Sequence, residues 1–566
     1  MTTTSPRGGL EQTRALGVEQ TGIEIIEESA RTAKPSDLFW PWFAANVSVF
    51  GISYGSYILG FGISFRQALM VTVIGVVMSF VLCGIIAIAG KRGSAPTMIL
   101  SRAAFGVNGQ KVPGVVSWLV SIGWETFLAI MAVLATATIF DQLGWGGGTT
   151  TKIVATIVVA ALIVAASVMG YHLIMKAQSI LTWLTGLATI VYIALTLSHV
   201  DWATVQTIPD GPIQAVIGAL VMVMTGFGLG WINIAADWSR YQRRDSSSGS
   251  IVFWNTVGGA LAPTMLVIYG LLLAGTDPAL QAGIVNDPIG TLGLILPTWF
   301  LVPFLICAIL ALVSGAVLGI YSSGLTLLSL GVRIPRPAAA FVDGVILTLG
   351  TIWVVFFAQS FLAPFQSFLL TLGVPLAAWA GIQIADIALR KRDYDEEALF
   401  DSRGRYGSVD WISIGTMLVT TVIGWGLVVN SFAADAAWNN WQGYLLEPFG
   451  LGSYVDDPAE PYWDGPWAYA NLGVLFALVV SFLVTLVGRA GVVRAQEQGT
   501  WVDRVKVGLW GIAVLFLGWL GGLIGYLSLR GSDEARAWHV LKWGLIWTAI
   551  GAVGGSVLAL LALLAQ

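Results

Sequence analysis

The stretch that decides the fold is residues 39–62, FWPWFAANVSVFGISYGSYILGFG, which contains no charged side chain. A helix rises about 1.5 Å per residue, so this stretch can cross the roughly 30 Å of hydrocarbon in a bilayer. Its middle reads Phe50-Gly51-Ile52-Ser53-Tyr54-Gly55. Glycines beside an aromatic residue are typical of a helix that is locally unwound along a cavity. The stretch therefore predicts an interrupted membrane-spanning helix.

The composition indicates that the whole chain is a membrane protein. Apolar residues make up 56% of the 566 residues and charged residues only 11%, against roughly 25% charged in a soluble domain. This excludes a water-soluble enzyme, and the hydrophobicity also excludes disorder. A net charge of −4 does not suggest a nucleic-acid partner. Cys83 and Cys307 lie in apolar runs and offer neither a disulfide framework nor metal-ligand spacing.

Apolar runs of similar length recur along the chain, and we number them as segments 1–14. They are continuous and rich in Leu, Val, Ile and Ala, which favours helices over the short alternating strands of a membrane barrel. Segment 8 is long for a single crossing and is expected to tilt or break. The runs lie near 39–62, 68–90, 115–140, 152–170, 178–198, 213–234, 251–274, 298–329, 339–358, 361–388, 411–432, 467–488, 507–528 and 540–564.

The loop charges predict a cytoplasmic N-terminus, since 23 of the 28 Lys and Arg then lie on the inner side, as the positive-inside rule requires. The loop 433–466 has six acidic residues and no basic one, so it is predicted to be extracellular. Residues 1–37 lack a secretory signal and are predicted to form a mostly disordered cytoplasmic tail. The expected location is the plasma membrane. The five basic residues on the outer side are Arg66, Lys152, Arg530, Arg536 and Lys542.

Segment 6 repeats the pattern of segment 1, because it carries Gly226-Phe227-Gly228-Leu229-Gly230. Five segments is an odd number, so segments 6–10 would run in the opposite sense to segments 1–5. Interrupted helices at matching positions of two inverted halves predict a binding site near the middle of the membrane. Small-residue helix packing is the alternative interpretation of both stretches.

Glu125 is the only acidic residue that these segments place near mid-membrane, whereas Asp237, Asp343 and Asp386 fall at cytoplasmic ends. A lone carboxyl group at that depth is costly unless it is solvated, paired or protonated. Glu125 could therefore exchange a proton or accept hydrogen bonds from a ligand. The alternative is a protonated Glu bonded to a neighbouring backbone carbonyl or Ser. Ser314 of segment 8 lies at a similar depth.

The motif Asp237-Trp238-Ser239-Arg240-Tyr241 closes segment 6 at the predicted cytoplasmic side. Asp237 and Arg240 are three residues apart and can pair on one helix face. We interpret them as a gate or latch, with a simple interfacial cluster of long side chains as the alternative.

Several stretches together resemble the nucleobase–cation symporter family, which includes cytosine permease, hydantoin transporters and fungal purine–cytosine permeases. They occur in the family's order within about 35–490. The matching stretches are Ile58–Ser64, Ser101–Gly106, Ile122–Trp124, Ala236–Tyr241, Tyr321–Leu325 and Ala380–Asp386.

The resemblance implies an all-α membrane protein with a leucine-transporter-like core of two inverted five-helix repeats, twelve spans and alternating access. After the tail 1–37, the core would cover 38–490, with repeats at about 38–198 and 212–388 and then two further helices. Residues 491–566 would add two more membrane helices.

The resemblance also implies where the solute binds, which is on segments 1, 3 and 6 and on an amide of segment 8. Segment 8 departs from the family here, since Ser314-Gly315-Ala316-Val317-Leu318-Gly319 has no amide; Glu125 and Gln383 are the candidates to replace it. Sodium-coupled members use carbonyls of segment 1 and two hydroxyls of segment 8, of which Ser314 alone remains. Proton coupling through Glu125 is the alternative. The predicted solute-binding residues are Phe50, Gly51, Ser53, Tyr54, Trp124, Glu125, Phe227 and Gly228.

The leading hypothesis is a secondary active symporter that imports a purine, a pyrimidine or a related heterocycle with H⁺ or Na⁺. A carrier for an amino acid or amine with the same fold is the alternative. A channel would need rings of like polar residues, and an intramembrane enzyme would need paired acids or metal ligands. The sequence shows neither, so no enzymatic activity and no cofactor beyond the coupling ion are expected. The predicted partners are a small solute and the lipid bilayer.

Overall fold

The computed structural model describes residues 22–169, 171–358, 362–430, 441–457, 462–500, 504–531, 537–549 and 551. The predictions for residues 1–21, for parts of the acidic loop 433–466 and for the end of segment 14 lie outside these residues.

The described part of the chain is almost entirely helical, and ten of its helices are long and apolar enough to cross a membrane. Segments 2–5 are Phe65–Gly93, Lys111–Gln142, Thr149–Met169 and Tyr171–Thr196; segments 7–10 are Ser248–Thr276, Thr298–Ser329, Arg336–Phe357 and Leu362–Leu389; segments 11 and 12 are Trp411–Trp425 and Leu472–Gln498.

Short elements connect these helices. The short α-helices are Thr97–Leu100, Arg102–Phe105, Trp202–Gln206, Pro278–Asn286 and Gly290–Leu294, and the 3₁₀ turns are Glu28–Ala30, Pro35–Leu38, Leu197–His199 and Ala468–Ala470. The strands Ser453–Val455 and Tyr462–Asp464 pair antiparallel with Tyr454 opposite Trp463.

Local capping chemistry sets several helix ends. Segment 2 begins with a capping box in which Ser64 accepts from the Gln67 backbone N–H and Gln67 accepts from that of Ser64. Asp410 caps segment 11 by accepting from the Ser413 backbone N–H at 3.0 Å. Segment 12 ends at Gly499, whose φ of +69° suits glycine. These signals fix where the helices start and stop.

Segments 1 and 6 are both interrupted, as predicted. Segment 1 consists of Phe39–Asn46 and Phe50–Leu59, separated by residues 47–49. Segment 6 consists of Ile213–Gly226 and a short-turn region of Gly228–Trp231, Ile232–Ile234 and Ala235–Ser239. Its break is at Phe227, with φ −116° and ψ −111°.

The predicted location of the break is right for segment 6 and wrong for segment 1, where residues 50–55 are helical. The glycines of that stretch serve helix packing instead. A Cβ on Gly55 would lie 2.1 Å from the Gly270 carbonyl carbon, and a Cβ on Gly270 would lie 1.9 Å from the Ile52 carbonyl oxygen. Segments 1 and 7 therefore meet backbone to backbone, which is the small-residue packing that membrane helices use.

Segment 8 is one unbroken helix of 32 residues, Thr298–Ser329. It packs against segment 3 along the centre of the bundle. Of the two predicted outcomes, tilting or breaking, the helix does not break. At 1.5 Å per residue the helix is about 48 Å long, so it must tilt or extend beyond the hydrocarbon.

The loops predicted to lie on the inner side come together at one end of the bundle. The Val107 backbone N–H donates to the Gly407 carbonyl at 2.9 Å, and Arg92 donates to the Ile387 carbonyl at 3.1 Å. At the other end, the Ser64 hydroxyl donates to Asp210 at 2.5 Å. The alternating course of segments 1–12 therefore matches the charge pattern of the loops.

Residues 22–37 pack on the inner end, so the expected disorder of the tail is wrong for this part. The Ile26 backbone N–H donates to the Ser94 carbonyl at 2.9 Å. Arg31 is buried, donates to the Ile26 carbonyl at 2.8 Å and pairs with Glu396 at 2.9 Å. Buried apolar and charged contacts hold this part of the tail against two inner loops.

A buried charge cluster ties segments 10, 11 and 12 together at the inner end. Asp386 pairs with Arg390 at 2.6 Å and with Arg489, and Arg489 pairs with Asp410 at 3.2 Å. Both arginines also donate to the Ala103 carbonyl, at 3.1 and 3.0 Å. Because every charge in the cluster has a partner of opposite sign, its burial is tolerated.

Segment 13 was predicted to cross once over 507–528, and this is wrong. It consists of Arg504–Leu517 and Trp519–Leu529, separated by Gly518 with φ +54°. The two helices run antiparallel, because a Cβ on Gly525 would lie 3.3 Å from the Trp510 ring. A positive φ is readily adopted by glycine, so the chain turns back there.

The reversal at Gly518 also corrects the orientation of the loop that follows. Arg530 returns to the end of the bundle where Arg504 starts. His539 lies close enough to Arg494 and Lys542 for both charges to act on it. Arg530 and Lys542 therefore lie at the predicted inner end, where they agree with the charge rule.

The contact between segments 1 and 7 predicts that Gly270→Ala destabilises the protein. The added methyl group must push the backbones apart, at a cost of about 1–3 kcal/mol. Thermal unfolding of the purified protein in detergent measures the loss. Gly415→Ala in segment 11 is the matched control, because its Cβ meets nothing within 4 Å. Equal midpoints for the two variants would contradict the backbone contact.

Candidate functional site

Aromatic rings from the two interrupted helices meet at the centre of the bundle. The Tyr54 and Phe227 rings are 4.5 Å apart, and Phe50 lies 5.3 Å from Tyr54. The Tyr54 hydroxyl donates to the Gly226 carbonyl at 3.4 Å, next to the break in segment 6. Three of the predicted solute-binding residues are thus brought together where both helices are interrupted.

Segments 3 and 10 complete this aromatic cluster. Trp124 lies 5.6 Å from Phe127 and 5.4 Å from Phe365, and Phe127 stacks on Phe365 at 3.8 Å. Phe50 contacts Phe127 at 5.3 Å, which joins the two halves. The sequence analysis missed Phe127 and Phe365. Phe127 is three residues from Trp124 and so shares its helix face, whereas nothing in the sequence singled out Phe365.

Three other predicted residues contact neighbouring elements instead of the rings. Ser53 donates to the Pro288 carbonyl at 2.8 Å, and a Cβ on Gly51 would lie 3.2 Å from Leu266. The Gly228 backbone N–H donates to the Ser79 hydroxyl at 3.1 Å. These residues hold the interrupted helices in place.

Glu125 is fully buried against segment 8, where Gly319 leaves room for it. A Cβ on Gly319 would lie 2.8 Å from Glu125 Cγ. Neither carboxyl oxygen has a hydrogen-bond partner among the described residues. A cavity of about 10 Å³ lies beside it, also lined by Trp124 and Asn233. This is roughly the space that one water needs.

A second buried acid lies closer to the predicted inner end, where the sequence analysis placed it. Asp343 of segment 9 is also fully buried. It accepts from the Ser323 hydroxyl at 2.6 Å and from the Trp118 ring N–H at 3.0 Å. Ser323 also lies near Glu125, without a hydrogen bond to either Glu125 carboxyl oxygen. A serine hydroxyl therefore lies between two buried carboxyl groups.

Two amides have different environments. Asn233 of segment 6 donates to the Ser117 and Ser121 hydroxyls at 2.9 and 3.1 Å and reaches the cavity beside Glu125. The sequence analysis missed it. Gln383 is buried without a partner in the described chain. It lies one turn inward of Trp379, which bonds Ser101 of the inner link 93–106, so Gln383 is away from the rings.

Ser314 lies at a junction of segments 1, 5 and 8. Its hydroxyl bonds the Gln178 side-chain oxygen and also contacts the Ala44 carbonyl at 3.4 Å. The Gln178 amide N–H donates back to the Ser314 carbonyl at 3.0 Å. The sequence analysis did not identify Gln178, because its pairing with Ser314 spans 136 residues of sequence.

Among the described residues, the bundle is open at one end of the aromatic cluster, and contacts between helices and loops cover the other end. A cavity of about 410 Å³ reaches the cluster from the predicted outer end and is lined by Tyr54, Tyr57, Gln214, Phe365 and Tyr469, among others. It is large enough for a small heterocycle, whereas the cavities within the cluster are far smaller.

The motif at the end of segment 6 closes the inner end. Asp237 accepts from the Thr97 backbone N–H at 2.6 Å and from its hydroxyl at 2.8 Å. Arg240 donates to the Tyr321 hydroxyl at 2.8 Å and to the Gly22 carbonyl at 2.9 Å. The charge of Arg240 also acts on Asp237. Both residues therefore tie segment 6 to the inner link, to segment 8 and to the tail.

The described residues contain no group of three His, Cys, Asp or Glu side chains that could hold a metal ion. What the site offers is aromatic surface, a few amides and hydroxyls, and two carboxyl groups.

Comparison with known proteins identifies relatives of the chain. A family model described as permease for cytosine/purines, uracil, thiamine and allantoin matches residues 25–446. YxlA of Bacillus subtilis, which carries the name purine-cytosine permease, is 23% identical over 450 residues, covering 77% of this chain and 92% of its own. A purine-cytosine permease of Saccharomyces cerevisiae is 23% identical over 284 residues, which span 48% of this chain and 50% of the yeast protein.

Solved structures show the same fold. Mhp1, a nucleobase-cation-symport-1 family transporter with bromovinylhydantoin bound in a closed conformation, has a TM-score of 0.61 at 16% identity and covers 87% of this chain and 99% of its own. A Na⁺-coupled sialic acid symporter has a TM-score of 0.51 at 12% identity, with 84% and 95% covered. The predicted leucine-transporter-like membrane fold is confirmed.

The closed inner end predicts that Thr97→Val favours opening on that side, because the hydroxyl bond to Asp237 is lost. The reporter is Ser121→Cys beside Glu125, in a chain whose Cys83 and Cys307 are replaced by Ala. A membrane-permeant maleimide should label it faster in Thr97→Val. Thr348→Val is the control, since that hydroxyl donates to Gly344 of its own helix. Equal labelling rates in Thr97→Val and in the control would show that the contact between Thr97 and Asp237 does not act as a latch.

Proposed function

This chain belongs to the family of permeases for cytosine and purines, uracil, thiamine and allantoin, and we propose that it imports a purine, a pyrimidine or a related planar heterocycle together with a proton. It acts as a secondary active symporter of the plasma membrane with its N-terminus in the cytoplasm. The loop charges support this orientation.

The observation that carries the proposal is the contact of Tyr54 with Phe227 at 4.5 Å, between two interrupted helices. Aromatic faces favour flat ring systems, which stack between them. The site is filled by its own rings, so a solute must displace Phe127 or Phe365. Phe365 also lines the outer cavity and is placed to cover a bound solute.

The polar groups next to the rings support recognition of a heterocycle edge. Glu125 and Asn233 line the same small cavity as Trp124. A carboxyl group accepts hydrogen bonds from ring N–H groups, and an amide both donates and accepts. Together they replace the segment-8 amide that this chain lacks.

Proton coupling is supported by the path from Glu125 through Ser323 to Asp343. Glu125 is 14 residues from the inner end of segment 3, and Asp343 is seven residues from the inner end of segment 9. At 1.5 Å per residue, they lie about 21 and 10 Å from the inner ends of these helices. A proton taken up at the solute site could pass inward along this line. A partnerless carboxyl group beside the site links solute binding to protonation, which is what symport requires.

The open outer cavity and closed inner end support alternating access. Solute and proton would enter from outside, and their binding would favour a state in which the inner contacts of Asp237 and Arg240 separate.

Uptake by proteoliposomes tests the solute class. Labelled cytosine, uracil, adenine, hypoxanthine and allantoin should be taken up or compete with one another, whereas amino acids and amines should not. A carboxyl group near aromatic rings would also suit an ammonium group. Competition by amines alone would therefore show that the solute is an amine and not a heterocycle.

Phe227→Ala should raise the apparent KM for a planar solute roughly two- to tenfold, because a ring–ring contact contributes about 0.5–1.5 kcal/mol. Initial uptake rates measured over a range of solute concentrations give the KM. Phe341→Ala is the control, because this ring on segment 9 is exposed on the outside of the bundle. An unchanged KM in Phe227→Ala would remove this ring from the solute site.

Glu125→Gln should abolish uptake driven by a pH gradient while leaving part of the solute exchange. Asp343→Asn should slow pH-driven uptake and spare the affinity for solute. Asp141→Asn, which alters an exposed acid on segment 3, should change neither. Unchanged pH dependence in Glu125→Gln would show that the proton is carried elsewhere.

A further inference from the structure

The junction around Ser314 gathers oxygen atoms from three helices in the interior. They are the carbonyls of Ala44 and Ser314, the Ser314 hydroxyl and the Gln178 side-chain oxygen. Gln178 and Ser314 are both about 1% exposed. The Ala45 carbonyl is also close to segment 8, 3.8 Å from where a Cβ on Gly315 would be. Oxygen-rich surroundings of this kind suit a hard cation.

The break in segment 1 explains why the Ala44 carbonyl is available. In a continuous helix it would accept from the Ser48 backbone N–H, which instead donates to the Asn46 carbonyl at 3.0 Å. The C-terminal end of the half-helix Phe39–Asn46 therefore points unused carbonyl groups, and the negative end of its dipole, at Ser314. Such an end attracts a positive charge or a strong hydrogen-bond donor.

Gln178 supplies a hydrogen-bond donor to one of the oxygen atoms of the junction, the Ser314 carbonyl. Its amide N–H is bonded to the Ser314 carbonyl, and its own oxygen accepts from the Ser314 hydroxyl, so the two residues make a two-point contact. The amide thus lies within the group of oxygen atoms, where a cation would otherwise bind.

We propose that the Gln178 side-chain amide replaces a coupled cation at the junction of segments 1, 5 and 8, and that this junction does not bind Na⁺. The partial positive charge of the N–H group balances the carbonyl oxygens, and segment 5 stays attached to both other helices without an ion. The part of this proposal that concerns coupling rests on the proposed function, in which Glu125 carries the proton.

A purely structural role for Gln178 would give the same contacts, because amides often join membrane helices. The two roles differ in what a carboxylate would do at this position. Gln178→Glu replaces the N–H donor by a second oxygen and adds a negative charge, which completes a cation site. Under the proposal this variant gains a response to Na⁺, whereas loss of a structural contact would only lower stability.

The test is thermal unfolding of the purified full chain without solute, in NaCl and in choline chloride at equal ionic strength. The midpoint of the unaltered protein should be the same in both salts. Gln178→Glu should unfold at a higher temperature in NaCl, because an ion that binds the folded state stabilises it. Gln281→Glu adds the same charge at a half-buried position outside the junction and should show no difference.

A higher midpoint of the unaltered protein in NaCl, lost in Ser314→Ala, would overturn the proposal, as would a folded Gln178→Glu that ignores Na⁺. If Gln178→Glu does not fold, the proposal is tested by comparing the midpoints of the unaltered protein and of Ser314→Ala in the two salts. The assay contains no solute, so its outcome is separate from the proposed function. Failure of every heterocycle in uptake would end that function, whereas Na⁺-stimulated uptake of a heterocycle would keep the proposed solute class and would end this inference together with coupling to protons alone.

Discussion

The constraint on which this structure depends is that every backbone hydrogen-bonding group within a bilayer needs a partner inside the protein. The breaks in segments 1 and 6 free backbone groups from the hydrogen bonds within each helix. Side chains of other helices then contact or bond these groups. The Ser79 hydroxyl accepts from the Gly228 N–H, the Tyr54 hydroxyl donates to the Gly226 carbonyl, and the Ser314 hydroxyl contacts the Ala44 carbonyl. These contacts attach segments 2 and 8 to the two breaks. Gln178 attaches segment 5 to the same region.

The same breaks determine where chemistry can occur. They bring Phe50, Tyr54 and Phe227 to one level, while the long unbroken segments 3 and 8 pass beside them with Glu125 against Gly319. The outer cavity ends at these rings, and Asp237 and Arg240 close the inner end. A flat solute and a proton would therefore meet where the two interrupted helices expose polar backbone to the interior of the bundle.

Under the proposed coupling, two buried polar junctions have different roles. On one side of the solute site, Glu125 and Asp343 flank Ser323 and can hold a proton. On the other side, Gln178 neutralises the oxygen atoms around Ser314 with a hydrogen-bond donor that stays attached to the chain. A fixed amide at one junction and a titratable carboxyl group at the other would make the carrier respond to the proton gradient and not to sodium.

The sequence by itself determined the membrane class, most crossings, the broken segment 6 and the depth of Glu125, because hydropathy, glycine and charge act locally along one helix. Only the tertiary structure decided that the Gly51 and Gly55 stretch packs on segment 7, that Gly518 reverses segment 13, and that Asp343, Phe365 and Gln178 join the site. Those outcomes depend on which residue of a distant helix lies opposite. One helix fixes the spacing of its own side chains, but their partners across a bundle are fixed only when the helices pack.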